Sequence, residues 1–367
     1  MTENNYDIMI VGSGPAGVST WLHLDALEPD LAARTIVIER AVHPRAKPCG
    51  GGLTALGDRV LEGIGIDLVA SSIEIEAIEF RLDGRRRRLH QAGLLRIVHR
   101  PAFDQALTEA AVERGMGLRQ DEAFEGYVRT SDGLRVTTSR AEYLVRTVVG
   151  ADGAYSAVRR AMTNASRGHV ARLLEVVQPA SHDDPSGIAV FDFDVRHDGI
   201  DGYAWRFPCP AGGTLAMNYG VFDAGWPDRD SRPSLRESLR QMLGVDRGAP
   251  LGPIDGHPIR LFAPDDVVAE ANVLLVGDAA GVDPLLGEGI AQALDYGDLG
   301  ARVIIEASQR DDWSFARYAQ QRLSHPLGQA LALRRQLAAG LYAGAVDVTT
   351  LWQMLEGWLP GTLLDVD

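Results

Sequence analysis

The first part of the chain alternates between apolar runs and polar breaks in a way that predicts a strand, a helix and a second strand. Ile8–Val11 is an uninterrupted apolar run, which is typical of a strand buried on both faces. Three glycines follow, and apolar residues at helical spacing continue past Leu24. Thr35–Glu39 is a second apolar run that ends in an acid. The pattern indicates a strand–helix–strand unit with a glycine-rich turn after its first strand.

The middle of the first half predicts shorter elements. Ile73–Leu82 alternates as a strand, and Asp83-Gly84 is a good hairpin turn before a second strand from Arg88 onward. His99–Arg114 predicts a helix, because a proline stands just inside its first turn. Tyr143–Val149 predicts one buried strand that runs into a glycine-containing turn.

Residues 166–255 change to strand-like alternation and predict an antiparallel sheet in a second domain. The predicted strands are Gly187–Val195, Gly202–Pro208 and Gly213–Val221, and the predicted helix is Ser234–Leu243. The chain then returns to an apolar strand, Asn272–Val276, followed by a glycine-rich loop and a long helix from Ile290 to about Ser308.

Composition narrows the class of protein. The 367 residues are 46% hydrophobic, with a net charge of −14 at pH 7 and a pI of about 5.1, which argues against nucleic acid as a partner. Two cysteines are too few for a disulfide framework, and no apolar run reaches the length of a membrane span. The first strand begins close to the N-terminus, which leaves no room for a signal peptide. We expect a cytoplasmic protein, with a peripheral membrane contact left open.

The glycines after the first strand have the spacing of a dinucleotide fingerprint. Gly12 permits a tight turn, Gly14 lets a pyrophosphate approach the backbone, and Gly17 lets the helix pack close to the strand. The N-terminus of that helix would face the phosphates. Glu39 lies where an acid holds a ribose hydroxyl. A plain strand–helix–strand unit without a ligand is the alternative interpretation.

Four further segments are rich in glycine, proline or charged residues. The loop Arg40–Leu53 contains prolines, three consecutive glycines and the only lysine, Lys47, so its backbone is predicted to approach a ligand closely; a plain connector is the alternative. Gly150–Gly153 and Gly277–Gly289 are turns that follow predicted strands. Arg85–Arg88 is interpreted as a solvated face, with a cofactor phosphate or an acidic lipid surface as the alternative.

The fingerprint with Glu39, the Gly150–Gly153 turn and the Gly277–Gly289 loop together resemble the FAD-dependent oxidoreductases built like para-hydroxybenzoate hydroxylase. Within that superfamily, Pro44–Leu53 resembles the cysteine–glycine loop of the geranylgeranyl reductase family, and Tyr203–Pro208 resembles its Y-x-W-x-F-P strand. The chain departs from the family pattern after that strand, where Cys209 replaces a lysine.

The resemblance implies an α/β protein (α+β overall) with a discontinuous Rossmann-like FAD-binding domain formed by residues 1–165 and 256–310. Residues 166–255 would form an antiparallel-sheet substrate domain, and residues 73–99 could belong to that domain instead of the FAD-binding domain. Residues 311–367 would form a C-terminal helical segment. The implied FAD-binding residues are Gly12, Gly14, Pro15, Ala16, Gly17, Glu39, Arg40, Lys47, Cys49, Gly50, Arg100, Asp152, Gly153, Gly277, Asp278, Pro284, Gly287 and Gly289.

The chain contains one dinucleotide fingerprint and no second one, so NAD(P)H as electron donor would bind transiently over the flavin. The candidate catalytic residues are Cys49, Tyr203 and Trp205. Cys49 would donate a proton or shape the pocket, and a buried structural cysteine is the alternative. Tyr203 and Trp205 lie on the same face of one predicted strand as Phe207. These rings would form either a wall for an apolar or aromatic substrate or part of the ordinary hydrophobic core.

The resemblance implies reduction of a carbon–carbon double bond of an apolar, isoprenoid-like substrate by hydride transfer from reduced flavin. The alternatives are a flavin monooxygenase that hydroxylates an aromatic small molecule or protein side chain, and a flavoprotein that acts in the maturation of a partner protein. No histidine pair has metal-ligand spacing, so no metal is expected. Leu351–Leu359 would close the cavity, contact a membrane or pack in a core or dimer. Nothing in the sequence specifies an oligomeric state.

Overall fold

The computed structural model describes residues 6–68, 70–165, 168–182, 184–225, 232–246, 251–342, 346, 348–358 and 364–365. The helices are α1 (Pro15–Leu27), α2 (Pro29–Ala32), α3 (Ala55–Gly63), α4 (Arg100–Glu113), α5 (Ala157–Ala161), α6 (Leu235–Met242), α7 (Ile290–Arg310), α8 (Tyr318–Ser324), α9 (Pro326–Tyr342) and α10 (Val348–Trp358). Two short 3₁₀ helices, Phe193–Asp198 and Gly277–Ala279, complete the helical elements of the described chain.

The strands of the first half are β1 (Ile8–Val11), β2 (Thr35–Glu39), β3 (Gly52–Thr54), β4 (Ser72–Glu74), β5 (Ala77–Leu82), β6 (Arg85–His90), β7 (Leu95–Val98), β8 (Gly117–Gln120), β9 (Phe124–Thr130), β10 (Gly133–Thr138), β11 (Glu142–Val145) and β12 (Thr147–Gly150). Those of the second half are β13 (His169–Pro179), β14 (Ile188–Asp192), β15 (Gly202–Ala211), β16 (Thr214–Asp223), β17 (Asp255–Gly256), β18 (Ile259–Leu261), β19 (Ala269–Glu270), β20 (Val273–Leu275) and β21 (Leu364–Asp365).

A six-stranded, mostly parallel sheet forms the base of the molecule, in the order β19-β20-β12-β1-β2-β8. Every residue of β1 and β2 is buried, as the apolar runs predicted, because helices cover the sheet. Helix α7 packs tightly on α1, since a Cβ atom on Gly297 would lie 2.3 Å from the Ser19 hydroxyl oxygen. This sheet confirms the predicted α/β class.

The prediction of one strand over Tyr143–Val149 was wrong. β11 pairs with β10 in a separate three-stranded antiparallel sheet, whereas β12 pairs in parallel with β1. The exposed Arg146 separates them, and its backbone N–H donates to the carbonyl of Asp7. An apolar run read along the chain does not reveal that its two halves have different strand partners.

A nine-stranded sheet forms the second layer, in the order β17-β13-β16-β15-β14-β5-β6-β21, with β18 also paired to β13. β5 joins it through parallel pairing with β14. The β5–β6 turn has the predicted hairpin form, with Asp83 and Gly84 both at positive φ. The strand predicted for Gly187–Val195 ends early, because Asp192 accepts from the Asp194 amide and starts a 3₁₀ helix.

The C-terminal helices pack against the layers described above. Arg322 of α8 is fully buried and donates to the carbonyls of Ala263 and Ala280. Trp352 of α10 is buried with Arg87 over its ring, whereas Leu359 lies outside the described residues. None of the helices in the described part of the chain is both long enough and apolar enough to cross a membrane.

Candidate active site

One large cavity, about 680 Å³ in volume, runs between the parallel sheet and the nine-stranded sheet. Its volume lies within the range typical of cofactor and ligand sites. One end is lined by the glycine turn after β1 and the start of α1, and the other by aromatic residues of β14, β15 and β16. The sequence-predicted residues that line it are Gly12, Gly14, Pro15, Ala16, Glu39, Arg40, Lys47, Cys49, Gly50, Arg100, Asp152, Gly153, Tyr203, Trp205, Asp278, Gly287 and Gly289.

The turn after β1 requires glycine for steric reasons. Gly12 has φ +105°, and a Cβ atom there would lie 2.5 Å from the Ala151 carbonyl oxygen. Gly17 does not line the cavity, but a Cβ atom on it would lie 1.9 Å from the Gly12 carbonyl oxygen. Helix α1 begins at Pro15 without a side-chain cap, so its first amides face the cavity free of protein side chains.

Glu39 is buried and holds the turn closed. Its carboxylate accepts from the backbone amides of Ser13 and Ala41, each at 3.0 Å. Arg45 approaches it at 3.6 Å and also pairs with Asp104 of α4 at 3.3 Å. The sequence did not point to Ser13 as a partner of Glu39. The acid therefore sits at the predicted end of β2, beside the cavity.

Asp152 lies in the turn after β12, and its two carboxylate oxygens differ in their surroundings. One carboxylate oxygen caps α5, because it accepts from the amides of Ala157 and Val158 at 2.6 and 3.1 Å. The other, Oδ1, is buried without a hydrogen-bond partner among the described residues. Burial raises the pKa of Asp152. A buried oxygen without a partner beside a cavity is a position where a ligand hydroxyl or N–H would donate.

The loop before α7 closes another side of the cavity. Gly277 and Gly287 have φ of +60° and +64°, and Gly289 is the N-cap of α7 without a side-chain cap. Asp278 lies close to that N-terminus, 3.5 Å from where a Cβ atom on Gly289 would be. Gly277 and Pro284 do not line the cavity. These two residues belong to the loop but not to the cavity wall.

An ion network that the sequence did not reveal fixes this loop to the C-terminal helices. Arg334 of α9 donates to Asp283 at 2.7 Å and to Glu288 at 2.6 Å. Glu288 lines the cavity and accepts from the Thr54 hydroxyl at 2.5 Å. Burial raises the pKa of Asp283, opposed by the charge of Arg334. The pairing joins residues more than forty positions apart, and no local pattern encodes it.

The cysteine loop is attached to the nine-stranded sheet by buried polar groups. The Cys49 amide donates to Glu175 of β13 at 2.7 Å, and the Asn218 amide donates to the same carboxylate at 3.2 Å. The Trp205 indole N–H donates to Asn218 at 2.8 Å. Burial raises the pKa of Glu175. A lone acid in the apolar stretch Leu173–Val177 was the available signal for this network.

Arg100 and Lys47 line the same cavity as Cys49, and both interact with it. Arg100 is buried and donates to both carboxylate oxygens of Asp104 at 2.9 Å. Burial opposes its charge, but Asp104 and then Cys49 raise its pKa above the usual value. Lys47 Nζ lies 2.5 Å from Nε2 of His257, a residue that no sequence pattern indicated. Cys49 thus shares the cavity with two cationic side chains.

The aromatic residues of the predicted strand do line the cavity on one face. The Phe191 ring centroid lies 5.3 Å from that of Tyr203 and 5.0 Å from that of Phe207. The Tyr203 hydroxyl donates to the Leu286 carbonyl at 2.6 Å, so it also holds the loop before α7. Trp205 lies flat on Gly220, where a Cβ atom would be 2.0 Å from its ring. These aromatic residues therefore belong both to the hydrophobic core and to the wall of the cavity.

The two cysteines differ in environment, and we expect them to differ in reactivity. Cys209 is buried, and burial raises its pKa to about 11, whereas Cys49 is partly exposed in the cavity. At pH 8 a small alkylating reagent should therefore add once to the native protein and twice after denaturation, because only the thiolate reacts. Intact-mass measurement gives the count, and a Cys49→Ser variant should take up no label when native. Equal rates at both thiols would contradict the assignment.

The comparisons with known proteins point to FAD-dependent oxidoreductases. The FAD binding domain family matches residues 5–331. Digeranylgeranylglycerophospholipid reductase 1 of Methanopyrus kandleri is 27% identical over 91% of this chain and 90% of its own length. Geranylgeranyl diphosphate reductase of Rhodobacter capsulatus is 31% identical over 83% of this chain and 75% of its own. A solved geranylgeranyl bacteriochlorophyll reductase-like protein of Thermoplasma acidophilum has a TM-score of 0.72 and 20% identity, covering 98% and 97% of the two chains.

Fold, cavity and comparisons together define a flavin-dependent oxidoreductase. The chain belongs to the FAD binding domain family, and its similarity to geranylgeranyl reductases confirms the predicted resemblance. The residues fit the cofactor: the Ala151 carbonyl excludes any side chain at Gly12, so the turn presents bare backbone to the cavity, and Asp152 Oδ1 is a buried acceptor without a partner in the described chain. Two uncapped helix N-termini, those of α1 and α7, border the same cavity.

Proposed function

We propose that this protein uses FAD to reduce a carbon–carbon double bond of an apolar, isoprenoid-like substrate. The observation that carries the proposal is the continuity of one cavity, with the glycine turn at one end and the rings of Phe191, Tyr203 and Phe207 at the other. An aromatic wall contiguous with a flavin site suits an apolar chain that must reach the cofactor. The relatives named geranylgeranyl reductases support the same reaction class.

The chain's own residues would hold the cofactor along the cavity. The turn at Gly12 and the N-terminus of α1 would bind the pyrophosphate, and Glu39 the adenosine ribose. Asp278 would accept from hydroxyls of the linker, and the N-terminus of α7 at Gly289 would face the flavin ring. When bound, FAD supplies hydride transfer between an electron donor and the substrate. The partial positive charge of α7 favours the anionic reduced form.

Cys49 is the residue we propose to deliver the proton that accompanies hydride addition. Its backbone is held by Glu175, and it lines the same cavity as Arg100 and Lys47, both of which interact with it. The apolar wall excludes water from the reacting end.

We further propose NAD(P)H as the electron donor, bound transiently over the flavin, because the chain has a single dinucleotide fingerprint. A second candidate function is hydroxylation of an aromatic compound. It is favoured by the same wall, since the Phe191, Tyr203 and Phe222 rings would equally accept a flat aromatic ring.

Anaerobic single turnover separates the two functions. Flavin-loaded protein is reduced with dithionite and mixed with geranylgeraniol in detergent micelles. Reoxidation of the flavin coupled to a product with two more hydrogens per reduced double bond supports the reductase. Absence of that product, together with oxygen-dependent hydroxylation of a phenolic probe, would establish the second candidate instead.

The role of Cys49 is tested in the same assay. We expect Cys49→Ala to retain flavin but to lower the single-turnover rate by roughly 10²- to 10⁴-fold, as for loss of a proton donor. Cys209→Ala is the matched control, because Cys209 does not line the cavity and its rate should stay at the wild-type value. A Cys49→Ala enzyme with wild-type turnover would remove the thiol from the mechanism.

A further inference from the structure

Lys47 and His257 meet in the cavity from distant parts of the chain. Lys47 lies in the loop between β2 and β3, and His257 lies between β17 and β18. Lys47 Nζ and His257 Nε2 are 2.5 Å apart, and both residues line the cavity. The ring of Tyr155, which is largely exposed, stands edge-on to the imidazole at 6.1 Å between centroids. The pair thus extends from the cavity interior toward solvent.

Two nitrogens at this distance hold one proton between them. If both were protonated, their hydrogens would face each other and the two positive charges would repel strongly in a buried site. With one proton, the ammonium donates to the neutral imidazole in a charge-assisted hydrogen bond. The two groups must then titrate as a pair, and a change to either one shifts the pKa of the other.

The surroundings favour this singly protonated state. Burial lowers the pKa of Lys47 most, and burial followed by the charge of Lys47 lowers that of His257. The ammonium is therefore a stronger acid than that of free lysine, and the imidazole stays neutral at neutral pH. The other charged or titratable groups acting on the pair are Asp278, Arg100, Cys49, Arg45 and Arg40.

We propose that Lys47 and His257 form a proton relay that restores the Cys49 thiol after each turnover, a role that rests on the proposed function. With bound FAD to supply a hydride to one carbon of the double bond, the thiol would give its proton to the other carbon, so that the double bond becomes a saturated bond. The resulting thiolate takes a proton from the Lys47 ammonium. Lys47 recovers a proton from solvent through His257, and each step conserves atoms and charge.

The neighbourhood explains why a relay is needed. Arg100 interacts with the Cys49 side chain, and the Gly51 amide donates to the Cys49 sulfur at 3.4 Å. On the C-terminal side of Cys49, Gly50 packs against Trp205 and Phe207, since a Cβ atom on Gly50 would lie 3.2 Å from the Trp205 indole nitrogen. Cys49 is only partly exposed, so water reaches it less readily than it reaches a surface group. Lys47, two residues away, is the nearest group in sequence that can carry a proton in.

The shared proton is tested on the flavin-loaded protein by NMR, without any substrate. Because the chain contains one lysine, protein labelled with ¹³C and ¹⁵N lysine gives one side-chain amine signal, and ¹³C and ¹⁵N histidine labelling, with the His257 signal assigned by His257→Gln, reports the His257 midpoint. We expect Lys47→Met to raise the His257 pKa by about one unit or more, because the neighbouring charge is removed. His197→Gln, at an exposed histidine paired with Asp83, should leave both midpoints unchanged. A His257 midpoint that does not move in Lys47→Met overturns the pair.

The relay is tested by comparing the first turnover with continuous turnover, using geranylgeraniol as the probe. Lys47→Met with normal flavin content should reduce the first equivalent at the wild-type rate, since Cys49 starts protonated. Continuous turnover with dithionite should fall roughly 10²-fold at pH 8, at the low end of the effect of a proton-transfer group, and recover as the pH is lowered. His257→Gln should show the same split and serves as the second variant if Lys47→Met loses flavin.

Each remaining result has a distinct meaning. Loss of the first turnover in Lys47→Met would place Lys47 at the substrate and overturn the relay, and unchanged continuous turnover would overturn it as well. If the wild-type protein reduces no isoprenoid double bond, the proposed function fails on its own, while the NMR titration still decides whether the two nitrogens share a proton.

Discussion

Replacing Gly17 with valine is expected to abolish flavin retention. Even the Cβ atom of the new side chain would lie 1.9 Å from the Gly12 carbonyl oxygen, and that atom belongs to backbone that cannot rotate away. The turn would have to open, which moves Gly12 from its φ of +105° and displaces the N-terminus of α1. Overpacking typically costs ~1–3 kcal/mol. Each loss of about 1.4 kcal/mol of binding free energy weakens flavin binding tenfold.

The ratio of flavin to protein absorbance in the purified variant measures this loss. Gly63→Ala is the matched control, because Gly63 is exposed at the end of α3 and a Cβ atom there meets nothing within 4 Å. The control should bind flavin as the wild type does. Gly17→Ala keeps the test informative if the valine variant does not fold. A folded Gly17→Val protein that retains stoichiometric flavin would refute the assignment of this turn.

Replacing Arg322 with leucine is expected to cause the largest loss of stability. The guanidinium is fully buried, stacks on Phe262 at 4.6 Å and donates to the carbonyls of Ala280, Ala263 and Pro264. Leucine would remove all three bonds. The Ala263 carbonyl would keep the Asp266 amide as a donor and Pro264 is exposed, so the loss falls on the buried Ala280 carbonyl, at about 1–3 kcal/mol for one unsatisfied group, and on the contact with Phe262. Since Ala280 belongs to the loop before α7, the variant should also bind flavin more weakly.

Thermal unfolding followed by circular dichroism, with and without added FAD, checks this expectation. Arg302→Leu is the control, because Arg302 is mostly exposed and pairs only with Asp298 one turn away on α7. Exposed pairs of this kind contribute less than about 1 kcal/mol. Equal midpoints for the two variants would show that Arg322 does not connect α8 to the flavin loop.

Most elements governed by local patterns were predicted well, but the single strand predicted over Ile73–Leu82 was wrong, because this stretch is divided into β4 and β5, which belong to different sheets. The apolar runs of β1 and β2, the proline at the start of α4 and the turn at Asp83-Gly84 depend on residues close in sequence, and the structure has them in place. The single strand over Tyr143–Val149 was wrong because the change of sheet at Arg146 depends on partners far away in the chain. The domain boundaries and the roles of the site residues stay predictions.

The residues around the cavity that the sequence did not indicate share one property. Glu175 and Asn218 both bind Cys49 from more than forty positions away. His257 binds Lys47, and Arg334 binds the loop before α7, also across more than forty positions. Asn218 does so twice, since it contacts Cys49 as well as Glu175 and is paired to Trp205 from the neighbouring strand. No spacing rule within a strand or loop reveals such pairs.

The sequence alone determined the class of cofactor. Gly12, Gly14, Gly17 and Glu39 lie within a single strand–helix–strand unit, where local geometry imposes their spacing. Only the tertiary structure decided which groups surround Cys49. The Cys49 backbone is held by Glu175 of β13, its side chain interacts with Arg100 of α4, and Lys47, two residues before it, contacts His257 between β17 and β18. Short-range steric demands leave a trace in the order of residues, whereas contacts between distant segments exist only once the chain has folded.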